Sequence, residues 1–425
     1  MVFRLGAFAA AIVALAAAAF PDSDDIRTVR VGLHYGPTAV PAIRVSGEGM
    51  ARGETNVVTF LGDATATARG GEIIVRRDGE EIPVGRWVEF APSGREPWLE
   101  LDGATYRGTV RLDMVGEDRL RVVNIVDIED YVRGVVPNEM FADLEAYKVQ
   151  AVISRTYLVY VRDVERKHRA EGFDICTTGH CQVYRGVDSE RPLSDEAVEA
   201  TRGQVLTYQG KPIFSAYHSN AGGMTQTVDE AWPGSIRRNF PYLCQVDSPY
   251  DGEAGSATGF GWCYRWERNV AAAEIAQRLK ARGKDVGDVQ ELVSATVTST
   301  GRVRELEVVG SSGRARLTTP TEVREVLGTP SDRLTVEIAG QERAPGSRLF
   351  RLTGWGNGHG VGLSQHGAFA MSKAGYTYDQ ILGHFYRGVL LADDYGRGAS
   401  RPLSPPELKV TAAQPLPSPV PAGAS

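Results

Sequence analysis

The feature that most restricts the fold is a long series of short, strand-like segments between Val29 and about Leu112. These segments, such as VRVGLHY, EIIVRR, RWVEF and RGTVRLDMV, are separated by Gly, Pro and Asp-Gly turn signals. The pattern continues through residues 120–126 and 128–136. The 48 glycines among 425 residues exceed the usual share of about 7%, as expected for a chain rich in turns. We therefore predict a β-rich region over residues 27–114.

One segment has a clear helical pattern. Between Asp143 and Lys167 the apolar residues recur at three- and four-residue steps, which describes an amphipathic helix. Shorter helices are predicted near residues 271–282, 322–327, 364–374 and 378–386, with strands near 205–225, 292–300, 303–309 and 347–352. The predicted fold class is α+β, with mixed β-rich domains around one long helix.

The N-terminus predicts export. Residues 1–20 combine Arg4 with a long uncharged run of Ala, Val, Ile, Leu and Phe, followed by a polar break, which is typical of a secretory signal peptide. The alternative is a retained membrane anchor, although the run is shorter than the ~20 apolar residues that a bilayer requires. Either way, the rest of the chain is expected in the periplasm, the cell wall or the medium. A Pro-rich tail is predicted for residues 393–425, and seven prolines fall within 401–425.

The charge balance argues against one class of partner. The chain carries 47 Lys and Arg against 53 Asp and Glu, a formal net charge of −6. A protein that wraps a polyanion usually needs a basic excess, so no nucleic-acid partner is predicted.

Glu139 is the candidate acid. It follows Val135-Val136-Pro137-Asn138, at the junction between a strand and the long helix. Apolar surroundings raise the pKa of a carboxyl group by desolvation, whereas a nearby helix N-terminus lowers it, and the sequence does not decide between the two. The alternative is that Glu139 only begins a helix.

A second candidate region is the glycine-rich segment from Gly354 to Gly362, in which every second residue is glycine. If it is extended, one face is bare, and the other carries Trp355, Asn357 and His359, onto which a flat polymer such as a sugar chain could pack. The alternative is a glycine-rich strand packed tightly in a core. A phosphate loop is not favoured, because no Gly-Lys-Ser/Thr ending follows.

A polar turn with glycines, Tyr217 to Thr225, contains three further candidates, His218, Ser219 and Asn220. A Ser-His-Asp triad built on Ser219 or Ser364 is not favoured, since no GxSxG elbow is present and adjacent strand residues point to opposite faces.

The four cysteines fall into two groups. Cys176, His180 and Cys181 lie within six residues and are all suitable zinc ligands; three ligands and an open position would suit a catalytic or substrate-orienting metal. The alternatives are a strained 176–181 disulfide or reduced thiols. Candidates for a fourth ligand are His218, His168 and His359. In an exported protein, Cys244 and Cys263 predict a disulfide that would contribute about 3 kcal/mol.

With these segments in view, four blocks resemble the SpoIID/LytB domain family in their order along the chain. The blocks are VNIVDIEDYVRGVVPNEMF…LEAYKVQAVISRTY from Val123, CTTGHCQVYRG from Cys176, AYHSNAGGMTQTVDEAW from Ala216 and GWGNGHGVGLSQHGA from Gly354. That family includes the stage II sporulation protein D peptidoglycan lytic transglycosylases and the LytB amidase enhancers. The resemblance extends over residues 115–392, within which 265–350 matches less clearly.

The resemblance implies a SpoIID-like catalytic domain, a role as catalytic acid/base for Glu139, and a zinc ion held by Cys176, His180 and Cys181. It also implies a substrate of bacterial cell-wall glycan strands, which in the sporulation proteins are already stripped of their peptides. Six residues are expected to bind the glycan by stacking and hydrogen bonding: His218, Ser219, Asn220, Trp355, Asn357 and His359.

These expectations lead to a first hypothesis, an exported lytic transglycosylase that cleaves the MurNAc-GlcNAc bond without water and leaves 1,6-anhydroMurNAc ends. The alternative is a non-catalytic cell-wall binding module that localises or enhances an N-acetylmuramoyl-L-alanine amidase. Water-dependent glycan hydrolysis is a third option. The membrane is a partner only if the N-terminal segment stays uncleaved.

Overall fold

A computed structural model describes residues 26–93, 97–140, 142–233, 240–253, 261–339 and 348–409. The chain divides into two compact units, the first formed by residues up to 205 together with 392–399, and the second by residues 206–391 and those from 400 onwards. The predicted signal peptide at 1–20 and the end of the Pro-rich tail, 410–425, lie outside the described residues.

The first unit is built on one large sheet. Its strands pair in the order β11-β1-β10-β9-β6-β2-β3-β4-β5, and β7 joins β2 and β8. The pairs are antiparallel, except that β1 and β11 run parallel. The described residues of this unit form the strands β1 Thr28–His34, β2 Ala42–Gly53, β3 Val57–Arg69, β4 Glu72–Arg77, β5 Glu80–Gly85, β6 Trp87–Pro92, β7 Trp98–Leu101, β8 Ala104–Arg107, β9 Thr109–Val115, β10 Arg119–Asp127 and β11 Ile175–Cys176.

Two Asp-Gly pairs show why this region folds as hairpins. Asp78 and Gly79 connect β4 to β5, and Asp102 and Gly103 connect β7 to β8, all four with positive φ. Such a pair gives the backbone twist that a tight hairpin requires. Alternate residues of the strands, among them Val45, then fill a buried apolar core. Strands thus occupy much of the region 27–114, and the sheet continues past residue 114 into β10 and β11, whereas residues 128–133, where the strand pattern was expected to continue, form a helix.

The helices of the first unit follow β10. They are α1 Ile128–Arg133, α2 Val136–Glu139, α3 Leu144–Val159 and α4 Pro192–Ala200. The long helix begins after Asp143, whose side chain accepts a hydrogen bond from the N–H of Ala146 at 3.2 Å. Its last part, Tyr160–Glu165, widens into a π-helical turn. The predicted long helix is thus confirmed, with a change of helix type near its end.

The second unit contains smaller sheets and shorter helices. Its strands are β12 Val205–Tyr208, β13 Lys211–Pro212, β14 Tyr217–His218, β15 Arg265–Ala271, β16 Val289–Val297, β17 Val303–Gly310, β18 Gly313–Leu317, β19 Leu334–Ala339, β20 Leu349–Trp355, β21 Leu363–Ser364, β22 Leu390–Ala392 and β23 Ser400–Pro402. Its helices are α5 Val228–Ala231, α6 Ala272–Lys280, α7 Pro320–Leu327, α8 Gln365–Lys373 and α9 Tyr378–Phe385.

The second unit has an apolar core of its own. The sheets β15-β20-β19 and β16-β17-β18 pack with α6 and α7 around residues such as Ile275, Leu306 and Phe350. Mixed helices and sheets in both units agree with the predicted α+β class. The boundary at 205/206 falls within the predicted domain 115–392, because strands of that domain complete the sheet of the first unit. No helix formed by the described residues combines the length and apolar character that a bilayer crossing requires.

Candidate active site and metal centre

Glu139 is the last residue of the short helix α2. Pro137 occupies one of the first helical positions, where its missing N–H costs nothing. The amide of Asn138 donates to the carbonyl of Gly134 at 2.8 Å and to the hydroxyl of Ser189 at 3.0 Å, which ties the helix down on one side. The Glu139 side chain is half-buried. It lies before α3, whose N-terminus is capped by Asp143.

The carboxylate of Glu139 is held by a backbone donor. The N–H of Val183 donates to Glu139 Oε1 at 2.6 Å. The neighbours of Val183 fix its position: Gln182 is fully buried and accepts a hydrogen bond from the Tyr131 hydroxyl at 3.1 Å, and the Tyr184 hydroxyl donates to Asn124 at 2.9 Å. The donor therefore belongs to a well-anchored loop.

The loop that carries Val183 follows a cluster of two cysteine thiols and two histidine imidazoles. The candidate ligand atoms of His168, Cys176, His180 and Cys181 all lie within 4.8 Å of one another. The distance from His168 Nε2 to Cys181 Sγ is 3.3 Å, and His180 Nδ1 lies 3.6 Å from Cys176 Sγ and 3.9 Å from Cys181 Sγ. Ligand atoms around a tetrahedral zinc ion are roughly 3.3–3.8 Å apart.

The fourth donor, His168, was one of three candidates. It follows the π-helical turn Tyr160–Glu165, and its side chain is buried. Its Nδ1 atom lies 3.6 Å from a carboxylate oxygen of Glu171, an arrangement that orients metal-binding histidines in many proteins. A Cys2His2 set completes a tetrahedral shell, so these residues fit a structural metal rather than the open three-ligand site considered above.

The thiols of the cluster are not joined. Cys176 and Cys181 are both free cysteines, so the structure contradicts the alternative of a 176–181 disulfide. A hydrogen bond from the Cys181 thiol lowers the pKa of the Cys176 thiol. Since a thiolate is the form that binds metal, this arrangement suits a cation.

Tyr157, a buried residue of α3, is affected electrostatically by both the candidate acid and the cluster, and the sequence patterns did not single it out. Burial raises the pKa of its hydroxyl, and the nearby groups Cys181, Glu165, Cys176 and Glu139 raise it further. The carboxylate and both thiols therefore act on the same buried hydroxyl of α3. The sequence signal was present, since Tyr157 lies on the apolar face of the predicted helix, but core tyrosines share that pattern.

In the second unit, the glycine-rich segment is not extended beyond Trp355. Gly356, Gly358, Gly360 and Gly362 all have positive φ, between 71° and 105°. The picture of a flat strand with one bare face is therefore wrong, because the strand ends at Trp355 and a loop follows it. A Cβ at Gly362 would lie 2.0 Å from the carbonyl oxygen of Ala216, so this loop packs tightly against its neighbours, although it is not the strand that the alternative interpretation expected.

Two of the predicted glycan-binding residues form an aromatic group. The rings of His218 and His359 lie 5.3 Å apart, and that of Trp232 lies 4.9 Å from His359. His218 is 4% exposed, and burial, followed by the influence of His359 and Arg302, lowers its pKa well below the usual range. Burial and the guanidinium of Arg324 lower the pKa of His359 to about 3. Both imidazoles are uncharged at neutral pH.

Two of the other predicted residues, Asn220 and Asn357, form a backbone bridge. Asn220 and Asn357 exchange two backbone hydrogen bonds of 2.8 and 3.0 Å. Asn220 itself is buried, whereas Ser219, Trp355 and Asn357 are partly exposed. The structure therefore places Ser219 and Asn357 close together, both partly exposed and both next to the Cys263 sulfur. The side chains of Asn220 and His218 are buried.

The predicted disulfide between Cys244 and Cys263 is wrong, because both are free cysteines in the structure. The Cys263 thiol faces other groups: it lies 3.9 Å from the Ser219 hydroxyl and 3.7 Å from the Asn357 amide, both of which donate to it. The 19-residue spacing gave no information about these long-range partners.

The comparisons with known proteins match both parts of the chain. Residues 116–208 match a family described as "Stage II sporulation protein", and residues 239–362 match a domain of unknown function. Stage II sporulation protein D of Bacillus subtilis is 30% identical over 292 residues, which cover 64% of this chain and 76% of that protein. An uncharacterized protein of Brachyspira hyodysenteriae is 28% identical over 343 residues, covering 80% and 85% of the two chains. The amidase enhancer of Bacillus subtilis is 29% identical over 333 residues, 69% of this chain and 45% of that protein.

The fold and the site define a class: an α+β protein in which a half-buried glutamate is hydrogen-bonded to the loop of a Cys2His2 cluster. The comparisons then give the family. The chain belongs to the stage II sporulation protein D family, SpoIID, and the matched segment 116–208 contains Glu139 and all four residues of the cluster.

Proposed function

We propose that this protein is an exported peptidoglycan lytic transglycosylase with Glu139 as its acid/base. The observation that carries the proposal is the 2.6 Å hydrogen bond from the Val183 N–H to Glu139 Oε1. A catalytic acid/base must be held in one orientation. A main-chain N–H in an anchored loop can fix the orientation of the carboxyl group without placing a charge beside it. Family membership supports a cell-wall substrate.

The chemistry needs one carboxyl group. Protonated Glu139 donates its proton to the glycosidic oxygen between N-acetylmuramic acid and N-acetylglucosamine as the bond to C1 breaks. The resulting carboxylate then accepts the proton of the muramic C6 hydroxyl as that oxygen attacks C1, which closes the 1,6-anhydro ring. Because the two steps are sequential and no water is activated, the second carboxylate of ordinary glycosidases is not required.

The hydrogen bond from Val183 distinguishes the two carboxyl oxygens. Oε1 accepts the N–H, which is the role of the carbonyl oxygen in a carboxylic acid. The proton to be transferred therefore resides on Oε2. Glu139 can therefore keep the hydrogen bond from Val183 to Oε1 while Oε2 loses and regains the proton.

The cofactor we propose is zinc, held by His168, Cys176, His180 and Cys181. When bound, the metal would supply a rigid cross-link rather than a reacting centre, because four protein ligands leave no open position. Val183 follows Cys181 by two residues, so fixing Cys181 also limits the movement of the donor to Glu139.

The glycan-binding roles remain part of this proposal. Trp355 is partly exposed and offers an aromatic face for a sugar ring, and Ser219 and Asn357 offer hydrogen-bonding groups. The buried residues His218 and Asn220 would support them by fixing the loop, and His359 accepts the Val361 N–H at 3.1 Å in the same loop.

The test is digestion of purified peptidoglycan by the wild-type protein and the Glu139→Gln variant, with product masses recorded. Glutamine keeps the shape but cannot donate a carboxyl proton, so the rate at which anhydro ends appear should fall by roughly 10²- to 10⁴-fold. Glu196→Gln, at an exposed position of α4, is the matched control and should digest at the wild-type rate. Undiminished release of anhydro products by Glu139→Gln would refute the assignment.

A second candidate function is supported by the amidase enhancer relative. In that case the protein would bind the cell wall and localise or stimulate an amidase without cutting glycan. The same digestion separates the two, since a binding module yields no new product masses, whereas reducing ends would indicate hydrolysis. Comparing intact with peptide-stripped sacculi also tests whether the strands must first lose their peptides.

A further inference from the structure

The second unit contains a fully buried carboxylate, Asp251, to which the proposed mechanism assigns no role. Its Oδ1 atom accepts hydrogen bonds from the hydroxyls of Ser364 at 2.6 Å and of Ser248 at 2.8 Å. Its Oδ2 atom accepts the N–H of Gly223 at 2.8 Å. A buried carboxylate is costly unless donors such as these replace the water that it has lost, so Asp251 and its partners form one interdependent network.

Two further links connect this network with residues 219–223, which we name the 219–223 turn. The side-chain amide of Asn220 donates to the carbonyl oxygen of Asp251 at 3.2 Å. The N–H of Ala221 donates at 3.3 Å to the hydroxyl oxygen of Ser364, the same group that donates to the Asp251 carboxylate. Together with the contact at Oδ2, these hydrogen bonds fix the turn against the network.

Two residues of the GWGNGHGVGLSQHGA block contribute to the network. Ser364 caps α8 by accepting the N–H of Gly367 at 3.2 Å. A Cβ at Gly367 would lie 2.6 Å from the Ser248 hydroxyl oxygen and 2.8 Å from Asp251 Oδ1. A side chain at Gly367 would therefore require the hydroxyl or the carboxylate to move, which gives a physical reason for the glycine at this position.

The 219–223 turn also presents two of the candidate glycan-binding groups. Ser219 is its first residue and is partly exposed, and the backbone of Asn220 is bridged to that of Asn357, which is also partly exposed. The Ser219 hydroxyl and the Asn357 amide both contact the Cys263 sulfur, at 3.9 and 3.7 Å. A displacement of the turn would therefore change the position of both groups relative to a bound strand.

We propose that Asp251 is a positioning residue for glycan binding, which holds the 219–223 turn and thereby fixes the Ser219 hydroxyl and the Asn357 amide in the geometry that a sugar chain meets. The inference rests on the glycan-binding role of these two residues in the proposed function. A turn that is ordered before binding avoids the free-energy cost of ordering it in the complex, so the affinity depends on the network. The carboxylate itself is buried and does not touch the glycan.

The first experiment measures binding without cleavage. The full chain carrying Glu139→Gln is titrated into fluorescently labelled, peptide-stripped glycan strands, and the dissociation constant is read from fluorescence anisotropy. Added to this chain, Ser364→Ala removes a donor to Oδ1 together with the acceptor for Ala221, whereas Ser248→Ala removes a donor to Oδ1 alone. Ser364→Ala should raise the dissociation constant roughly 10-fold, the effect of losing one hydrogen bond, and Ser248→Ala, the matched control, should leave it unchanged.

The second experiment tests Asp251 itself in the active chain. In Asp251→Asn, the amide places a donor either against the N–H of Gly223 or against the two hydroxyls, so the network loses a contact. KM for peptide-stripped strands should rise roughly 10-fold while kcat stays near the wild-type value, because the reacting carboxyl of Glu139 is unchanged. Asp247→Asn, at an exposed position nearby in the chain, is the control and should keep both constants.

Two results would overturn the proposal: equal affinities of Ser364→Ala and Ser248→Ala, and a kcat of Asp251→Asn that falls while KM stays constant. Either would mean that the network does not control binding. A parent chain that binds no strands would overturn both this proposal and the glycan-binding role on which it rests. Strands that are bound but yield no anhydro ends would contradict the transglycosylase assignment alone, and the affinity comparison of the two serine variants then decides the role of Asp251.

Discussion

Arg155 and Glu129 form a fully buried ion pair in the first unit, with side chains 0% and 1% exposed. The guanidinium makes two hydrogen bonds to the carboxylate, of 2.6 and 2.9 Å, and the Gly203 N–H and the Tyr395 hydroxyl donate to the same group. Burial raises the pKa of Glu129, but the attraction of Arg155 and these hydrogen bonds outweigh it, so the pKa lies below its ordinary value of 4.5. The pair therefore stabilises the unit only while Glu129 is charged.

We expect Glu129→Gln to lower the free energy of unfolding at pH 7 by about 3–5 kcal/mol, because the substitution leaves Arg155 buried without its counter-charge. A depressed pKa contributes stability that is present above pH 4.5 and lost as the pH falls through the folded-state pKa. The difference between variant and wild type should therefore shrink in acid. Urea unfolding followed by circular dichroism from pH 7 to pH 3 measures it.

The control for this prediction is Glu81→Gln, which breaks the exposed ion pair with Arg69 and should have almost no effect. A Glu129→Gln difference that stays constant down to pH 3 would contradict the electrostatic explanation.

At the scale of secondary-structure elements, the sequence predicted the features that depend on residues close together in the chain and missed those that depend on residues far apart. The hairpins and α3 are set by local turn residues and by periodicity, and the sequence predicted them. The candidate fourth ligand, His168, was one of three histidines that the sequence offered, and the π-helical turn before it has no periodic signature that would have singled it out. The Val183 N–H is a backbone group, so side-chain patterns could not predict its contact with Glu139. The predicted 244–263 disulfide was wrong because spacing alone says nothing about tertiary partners.

The conformation of the glycine-rich loop, residues 354–362, was also not predicted from the local sequence pattern, and two glycine substitutions test how tightly it packs. Gly362 has a φ of 71°, and a Cβ there would lie 2.0 Å from a backbone oxygen, whereas at Gly283, with a φ of 72°, a Cβ would meet nothing within 4 Å among the described residues. Both changes to Ala carry the same backbone strain of about 1–2 kcal/mol.

We therefore expect Gly362→Ala to destabilise the second unit by about 1–3 kcal/mol more than Gly283→Ala, as typical overpacking does. Denaturant unfolding of both variants measures the difference. Equal losses of stability would mean that the loop yields easily to a methyl group, and that the tight packing of this segment is not required.

At the scale of the whole molecule, each unit has its own apolar core, and the candidate metal ligands all belong to the first. The strand pattern and the family resemblance predicted a β-rich region at 27–114 and a domain at 115–392, but the placement of the boundary depends on β10 and β11 joining the first sheet. Such long-range pairing is not visible in local patterns.

Because a ligand stabilises the unit that binds it, we expect saturating zinc to raise the unfolding midpoint of the first unit, by roughly 2.7 kcal/mol of stability at 100 times the dissociation constant, and to leave the second unchanged. Calorimetry with and without a chelator measures this. Cys181→Ser should abolish the shift, and Cys244→Ser, in the second unit, should preserve it. An identical shift in Cys181→Ser would contradict the assignment of the ligands.

The chain returns to the first unit at residues 392–399, where the Tyr395 N–H donates to the Gly203 carbonyl at 2.7 Å and its hydroxyl donates to Glu129. Expression of the N-terminal half alone would therefore cut away part of the fold that it was meant to isolate. A shortened version for crystallography or binding work should carry residues 392–399 back in through an engineered linker, so that the carboxylate of Glu129 keeps its full complement of donors.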